Sequence, residues 1–209
     1  MPNFTRVGYG QVEPNQLSAQ KTGQIYASLP LDKDVKVLQN GEFMYYDYAA
    51  NKVSADDSTE VAEPMLVFNE IKLYEPFWRR SYKDFAMIRV GDNYVTSDLA
   101  VNGPIEGKYG DGAETVGDNA DPAHTEYGYR MDGIAPRLFK TNIGDIYTTN
   151  MVKTGVEYTV GMKLAPVKNA ESKTLVLEEA GADAKMIWVV VKVYTMPDGQ
   201  PGLKLQRVQ

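Results

Sequence analysis

The stretch that decides the fold class lies near the C-terminus and reads Met186-Ile187-Trp188-Val189-Val190-Val191-Lys192-Val193-Tyr194. An extended chain points successive side chains to opposite faces. Apolar residues occupy both faces here: one carries Ile187, Val189, Val191 and Val193, and the other carries Trp188, Val190 and Tyr194. Because a strand that is apolar on both faces is covered on both sides, this stretch predicts a central, buried strand.

A turn signal follows the stretch directly. Met196-Pro197-Asp198-Gly199-Gln200-Pro201 contains the proline, aspartate and glycine that favour tight turns. Beyond it, residues 203–208 are again strand-like. The C-terminus is therefore predicted to form an antiparallel hairpin.

Short strand-like runs of the same kind recur from Val35 onwards. Asn40-Gly41 separates residues 35–38 from residues 42–48, and Asn-Gly between two apolar runs is the strongest short hairpin signal. A helix within residues 77–89 is expected from apolar residues at helical spacing, with a strand as the alternative. Further runs cover residues 65–74, 137–140, 145–150, 156–160, 162–164 and 174–177. The pattern predicts a mainly β protein, an antiparallel β-barrel or sandwich with at most one short helix.

Residues 1–34 differ from the rest of the chain, because no periodicity holds through them. Widely spaced apolar anchors on a polar chain suit an extended N-terminal arm that binds a partner surface. We predict an arm at residues 1–34 that is dispensable for folding, and a β domain at residues 35–209, as one unit or two subdomains. The alternative is an arm that packs on its own domain. The predicted partner-binding residues are Phe4, Val7, Tyr9, Ile25 and Tyr26.

Composition narrows the function classes. The 209 residues carry a net charge of −6, so the basic face that a nucleic-acid or anionic-membrane partner requires is not expected. There is no cysteine, which excludes disulfides and thiolate metal sites. The first residues contain no apolar signal core and no apolar run reaches membrane-spanning length, so neither Sec export nor a membrane segment is expected.

The residues that carry chemistry form no recognisable catalytic motif. His124 is the single histidine and lies in a Gly- and Asp-rich segment, residues 102–133, which is predicted to be a long surface loop. A solvated loop is favoured there over a calcium site made by Asp111, Glu114, Asp118 and Asp121. Core packing is favoured over ligand stacking for the aromatic group Tyr74, Phe77, Trp78 and Tyr82. We therefore predict a protein that is not an enzyme, with no catalytic residues, no cofactor and no bound metal.

Three stretches resemble virion structural proteins of tailed bacteriophages. They are residues 7–20, which begin Val7-Gly8-Tyr9-Gly10, residues 38–48, which begin Leu38-Gln39-Asn40-Gly41, and the final hairpin, residues 188–206. Together they cover about a third of the chain, and none is a catalytic signature. Among these proteins the chain resembles head decoration proteins, and its size fits, since 209 residues is short for a major capsid protein of the common phage fold.

This resemblance implies a small β domain that binds the expanded capsid from outside and braces neighbouring capsomers, often through an N-terminal arm. The implied partners are the major capsid protein and further copies of this chain in a homo-oligomer on the lattice. The implied location is the virion surface after assembly in the host cytoplasm. Alternatives are a tail or fibre β module that binds a glycan or host receptor, then a glycan hydrolase, and a cellular β protein.

Overall fold

The computed structural model describes residues 4–6, 10–69, 86–88, 128–130, 135–197 and 199–209. These residues are mainly β, as predicted, and include no helix of seven or more residues. No helix among them is long and apolar enough to cross a membrane. The elements are β1 (Val12–Gln16), α1 (Ser18–Thr22), β2 (Ile25–Tyr26), β3 (Val37–Gln39), β4 (Phe43–Asp47), β5 (Lys52–Ser54), β6 (Met65–Val67), β7 (Ala86–Ile88), β8 (Gly128–Arg130), β9 (Leu138–Phe139), β10 (Ile146–Thr149), β11 (Lys163–Lys168), β12 (Leu175–Glu179), β13 (Trp188–Thr195) and β14 (Pro201–Arg207).

The larger of two sheets is antiparallel and has the strand order β1-β10-β14-β13-β11-β12-β4-β6-β9-β2, with β5 paired to β4 beside this path. Its end strands, β1 and β2, are joined by residues 17–24 alone. That connection spans at most about 30 Å when fully extended. Ten strands laid flat would separate their outer members by about 43 Å. The sheet must therefore curl, and it forms a half-barrel.

Two apolar clusters lie on opposite faces of the strands β4, β6 and β9. Because side chains alternate along a strand, each of these strands contributes to both clusters. The inner cluster surrounds Trp188 and Tyr147 inside the half-barrel, and the outer cluster contains Leu38 of β3 and Met87 of β7. The side chains that enter the inner cluster are Phe43 of β4, Leu66 of β6 and Phe139 of β9. Their neighbours in the same strands enter the outer cluster: Met44, Val67 and Leu138.

The C-terminal hairpin forms as predicted. β13 and β14 pair antiparallel from Trp188↔Arg207 to Thr195↔Pro201, and β13 also pairs with β11, so it is a central strand. The sequence predicts burial of both faces, but only one face of β13 is buried. Trp188 and Val190 on that face are buried, whereas Val189 and Val191 on the other face are partly exposed. Cross-strand pairing and the Trp188 contacts fix this strand at the middle of the sheet.

The hairpin predicted between residues 35–38 and 42–48 is wrong, although the chain does turn at Asn40. β3 pairs with β7 in a separate sheet of β3, β7 and β8, while β4 pairs with β12, β6 and β5. Asn40 and Asn69 exchange two hydrogen bonds, of 2.8 and 3.3 Å, which tie the turn to the end of β6. Gly41 has a φ of +93°, and a Cβ there would lie 2.6 Å from Met151 Cβ. The turn is a buried junction between two sheets.

The segment predicted as an arm packs on its own chain where it is described. β1 pairs with β10, and β2 pairs with β9, so residues 12–26 supply both end strands of the half-barrel. Leu17 and Ala19 are buried in the inner cluster between them. The sequence leaves open whether this segment binds a partner or packs on its own domain. Residues 12–26 pack on their own domain. The predicted boundary at Val35 does not separate two domains, since strands from both sides of it, β1 and β2 before and β4 after, belong to the half-barrel sheet.

Three other expectations concern less regular parts of the chain. Within residues 77–89, only 86–88 are described, and they form the strand β7, the alternative to the helix. Residues 156–160, predicted as a strand, contain no strand; β11 begins at Lys163. Most of the predicted loop 102–133 lies outside the described residues, but 128–130 form β8, which is parallel to β7.

Candidate functional site

A groove of about 850 Å³ runs beside β11. Tyr45 lies in its wall, together with residues 55–57, 60–64, 165–167 and 181–186. We call this surface the acidic groove. It lies where the loop after β5, the edge of β11 and the loop before β13 meet.

Large apolar side chains are exposed on the acidic groove. Val61 has 84% of its surface exposed, and Val167 of β11 has 38%. Tyr45, Pro64 and Pro166 add further apolar surface to the walls. Isolated exposed apolar residues are ordinary, but several of them on one concave surface mark a binding site more often than chance.

Carboxylates outnumber cations around the acidic groove. Its lining contains one lysine, Lys185, and five acidic residues, Asp56, Asp57, Glu60, Glu63 and Asp183. Lys168 Nζ lies 2.5 Å from Asp56, and Arg207 lies 2.9 Å from Glu63, so two of the five charges have cationic partners. Among the described residues, Asp57, Glu60 and Asp183 have no such partner. The groove therefore carries a net negative charge.

The negative field acts on Tyr45, which forms part of the groove wall. Burial raises the pKa of Tyr45, and the charges of Asp57 and Asp56 raise it further. The phenol thus stays neutral and can donate or accept a hydrogen bond at physiological pH.

Two carboxylates hold the wall loop in one conformation. Asp47, at the end of β4, accepts hydrogen bonds of 2.9 Å from the backbone N–H groups of both Ala50 and Ser58. Hydrogen bonds from Ser58 and Ala50 lower the pKa of Asp47 to about 2. Asp57 accepts bonds from Thr59 N (3.0 Å) and Ala62 N (2.6 Å). Val61 is consequently presented by a loop that is already ordered.

A second, smaller cleft of about 480 Å³ contains a buried carboxyl group, Glu42, with Arg6 nearby. Glu42 has 1% of its surface exposed. Its oxygens accept hydrogen bonds from Gln39 N at 2.7 Å and Thr174 Oγ1 at 2.8 Å. Burial raises the pKa of Glu42 to about 7, against the opposing effects of these hydrogen bonds and of the Arg6 charge.

The Glu42 cleft is better explained by structure than by catalysis. Both carboxyl oxygens are already used, one by the turn at Gln39 and one by Thr174 at the start of β12. A second acid in the cleft, the half-buried Glu178, forms a 2.6 Å ion pair with Lys153. Glu42 thus joins the junction turn to the neighbouring strand and can exchange a proton near neutral pH.

The residues predicted to bind a partner contact their own chain where they are described. Phe4 has 5% of its surface exposed and packs edge-on against Tyr158 at a centroid distance of 5.5 Å. Ile25 and Tyr26 are half-buried in β2. Val7 and Tyr9 lie outside the described residues. A partner could reach Phe4 only if this segment left its place, and the binding role of the five residues stays a prediction.

Other residues singled out in the sequence lie outside the described part of the chain. They are His124, the four acids of the predicted loop (Asp111, Glu114, Asp118 and Asp121) and the aromatic group Tyr74, Phe77, Trp78 and Tyr82. Within the described ranges, no three or more His, Asp or Glu side chains are grouped to hold a metal ion.

Sequence reasoning missed the acidic groove. Residues 49–64 are mostly small and polar, a composition typical of a loop. Its signals were the run Asp56-Asp57-Ser58-Thr59, whose side chains favour local backbone hydrogen bonds, and Val61, an apolar residue within a polar loop. What the sequence could not supply is the opposite wall, which comes from residues 165–167 and 181–186 more than a hundred positions later.

Comparison with known proteins identifies no relative: no protein-family model, no curated protein and no solved structure matches this chain.

Proposed function

We propose that this protein is a structural component of a tailed-bacteriophage virion, a head decoration protein that binds the major capsid protein on the outer capsid surface. It acts there in many copies, as a homo-oligomer on the lattice, and is not an enzyme. It uses no cofactor and binds neither nucleic acid nor membrane.

The observation that carries the proposal is the placement of the three phage-like stretches. They contain β1, β4 and β13, and all but one residue each of β3 and β14. Four of these five strands belong to the half-barrel sheet, where β1 and β14 lie on either side of β10. The resemblance therefore falls on the strands that build the domain rather than on scattered surface loops.

The described structure has features that suit a bracing protein. Its sheet ends are secured by the N-terminal segment, and its loops are fixed by buried carboxylates such as Asp47 and Asp145. A rigid domain loses little conformational entropy on binding. Many copies on one lattice would add weak contacts into a large effect.

Co-sedimentation with empty, expanded shells tests the proposal. The shells are assembled from the major capsid protein encoded in the same genome as this chain, and unexpanded shells serve as the control. We expect saturable binding to expanded shells, with a fixed number of copies per capsomer. No binding at micromolar concentrations, or a genome that encodes no such capsid protein, would contradict the proposal.

A second candidate is a tail or fibre module that recognises a glycan or host receptor. The size and the aromatic wall of the acidic groove favour it, although its charge does not: the volume falls in the range of about 300–1,000 Å³ typical of small-ligand sites, and the Tyr45 ring lies in the wall. Binding of the isolated protein to immobilised glycans would support this candidate. It predicts that Tyr45→Ala abolishes the signal, whereas a decoration protein shows no glycan signal to lose.

A further inference from the structure

The acidic groove combines two properties that together specify an occupant. Val61 and Val167 expose apolar surface that would be stabilised by removal from water. Asp57, Glu60 and Asp183 surround that surface with negative charge, and none has a cationic partner among the described residues. An occupant that satisfies both must be apolar in the middle and cationic on its flanks.

Charge also argues against two alternative occupants of the groove, a second copy of this chain and a neutral glycan. A second copy of this chain, with its net charge of −6, would bring like charges to the groove in a symmetric contact. A neutral glycan would leave the carboxylates uncompensated as water is displaced from the groove. A lysine- or arginine-bearing protein segment meets neither objection.

We infer that the acidic groove binds an extended segment of a partner protein in which lysine or arginine side chains flank one or two apolar side chains. The partner that carries this segment is the major capsid protein, and this part of the inference rests on the proposed function. The chemistry of the segment comes from the groove alone.

The construction of the groove lowers the cost of this binding. The hydrogen bonds from Ala50 and Ser58 to Asp47 fix the loop before any partner arrives. A partner then loses its own conformational freedom but does not have to order the wall that receives it. Val61 provides the apolar contact, and the carboxylates provide orientation and a faster encounter.

Fluorescence anisotropy with three labelled hexapeptides tests the inference on the full chain. The first peptide alternates lysine and leucine, the second glutamate and leucine, and the third lysine and serine. We expect the lysine–leucine peptide to bind, with at least tenfold weaker binding at 500 mM than at 50 mM NaCl because salt screens the carboxylates. The lysine–serine peptide should bind at least tenfold more weakly, and the glutamate–leucine peptide should not bind.

Matched variants separate this groove from general attraction to an acidic protein. Asp183→Lys and Glu171→Lys change the net charge equally, but Glu171 lines the second cleft. Val61→Ser and Val160→Ser each remove an exposed valine, and Val160, 68% exposed, is not part of the groove lining. We expect at least tenfold weaker binding for Asp183→Lys and Val61→Ser, and less than twofold change for the two controls. Thermal melts of all four variants should coincide with wild type, since these side chains are exposed.

Several results would overturn the inference: no binding of the lysine–leucine peptide, equal weakening by Asp183→Lys and Glu171→Lys, or self-association that Val61→Ser abolishes. Glycan binding blocked by Val61→Ser would also overturn it. The shell assay distinguishes this failure from failure of the proposed function. If shells bind Asp183→Lys as well as wild type, the groove is not the docking surface but the function stands. If the peptides behave as expected and shells bind nothing, the function fails and the groove site stands.

Discussion

The C-terminal hairpin and the N-terminal segment lie on the two sides of β10 in the sheet, yet they are held there differently. β14 pairs with one edge of β10, and β1 with the other. The hairpin partners, β13 and β14, are separated by the turn at residues 196–200 alone. The N-terminal segment is tied by Gln11 N to Asn150 Oδ1, 139 positions away, and by Ser18 to Asp145, 127 positions away.

This contrast shows which interactions a sequence pattern can reveal. A hairpin closes a short loop, so its strands and its turn are adjacent in the sequence and can be recognised together. The N-terminal segment is held by hydrogen bonds to residues far away in the sequence, and its own residues give no local sign of these contacts. A segment without periodicity is therefore not necessarily separate from the core.

Removing the N-terminal segment is the most severe test of this comparison. The sequence predicts that residues 1–34 are dispensable for folding, but their packing leads to the opposite expectation. We expect a chain of residues 35–209 to lose its cooperative melt, because Phe4, Val12, Leu17, Leu29 and Leu31 are all buried. At about 1.5–3 kcal/mol each, their burial is comparable with the whole stability of a typical domain, about 5–15 kcal/mol. Circular dichroism and a thermal melt measure the effect. A synthetic peptide of residues 1–34 should restore the melt, and a truncated chain that melts cooperatively without it would make the segment a true arm.

In the C-terminal hairpin, Trp188→Ala should destabilise the protein by about 3–5 kcal/mol, the usual cost of truncating a buried aromatic residue. Trp188 is fully buried and contacts Tyr147 edge-on at 4.9 Å and Phe43 at 5.9 Å. Its indole N–H has no hydrogen-bond partner among the described residues, so packing accounts for the loss. Urea denaturation provides the measurement, and the partly exposed Val189→Ala is the control. A loss below about 1 kcal/mol would remove Trp188 from the core.

We expect the buried carboxyl group of Glu42 to make the stability of the junction turn depend on pH. The folded pKa of about 7 exceeds the ordinary value of 4.5, so the folded state holds the proton more tightly than the unfolded state. Its contribution is fully present below about pH 4.5 and is lost as the pH rises to about 7, by roughly 3 kcal/mol at most. Denaturation at pH 5 and pH 8 should show this loss in wild type and not in Glu42→Gln. An unchanged pH dependence in the variant would assign the effect to other groups.

Asp145 joins the two regions and should have a smaller effect. Its carboxylate accepts hydrogen bonds from Ser18 N (3.0 Å), Ser18 Oγ (2.9 Å) and Asn142 N (2.9 Å). Asp145 directly precedes β10, and it thus caps the first residue of α1, Ser18. Asp145→Ala should cost about 2 kcal/mol, within the range of lost caps and charged hydrogen bonds. Thermal melts measure the loss, and Asp183→Ala, an exposed acid, is the control. Equal melting temperatures for both variants would show that the cap contributes nothing.

The smallest effect is expected from deleting residues 108–122 of the predicted surface loop. An exposed polar loop contributes little burial, and shortening it changes closure entropy by less than about 1 kcal/mol. The melt of the deletion variant should therefore match wild type. If calcium raises the melting temperature of wild type and not that of the deletion variant, the loop is a metal site.

Sequence reasoning recovered the parts of this fold that depend on neighbours in the chain. The central position of β13, the final hairpin and the mainly β class follow from alternation and turn residues, and all are confirmed. The turn at Asn40-Gly41 was located, but its hairpin pairing was wrong. The preference of Asn-Gly for a turn is local, whereas the strands on its two sides pair with distant segments, β3 with β7 and β4 with β12, β6 and β5.

The candidate site was not predictable for the same physical reason. Alternation could suggest that residues 163–168 form a strand, but not that the loop carrying Val61 lies across from it. Glu42 likewise gives no local sign that Thr174, 132 positions away, will bury its carboxyl group. Chemistry that depends on contacts between distant segments becomes visible only once the sheet order is known.

Electron cryo-microscopy of expanded shells incubated with saturating protein would show whether this chain decorates a phage head. The proposal predicts regular density on the outer shell surface, at the same lattice position on every capsomer, into which the half-barrel fits as a rigid body. Shells that stay bare at saturating protein, or density confined to a tail or a portal vertex, would contradict the claim.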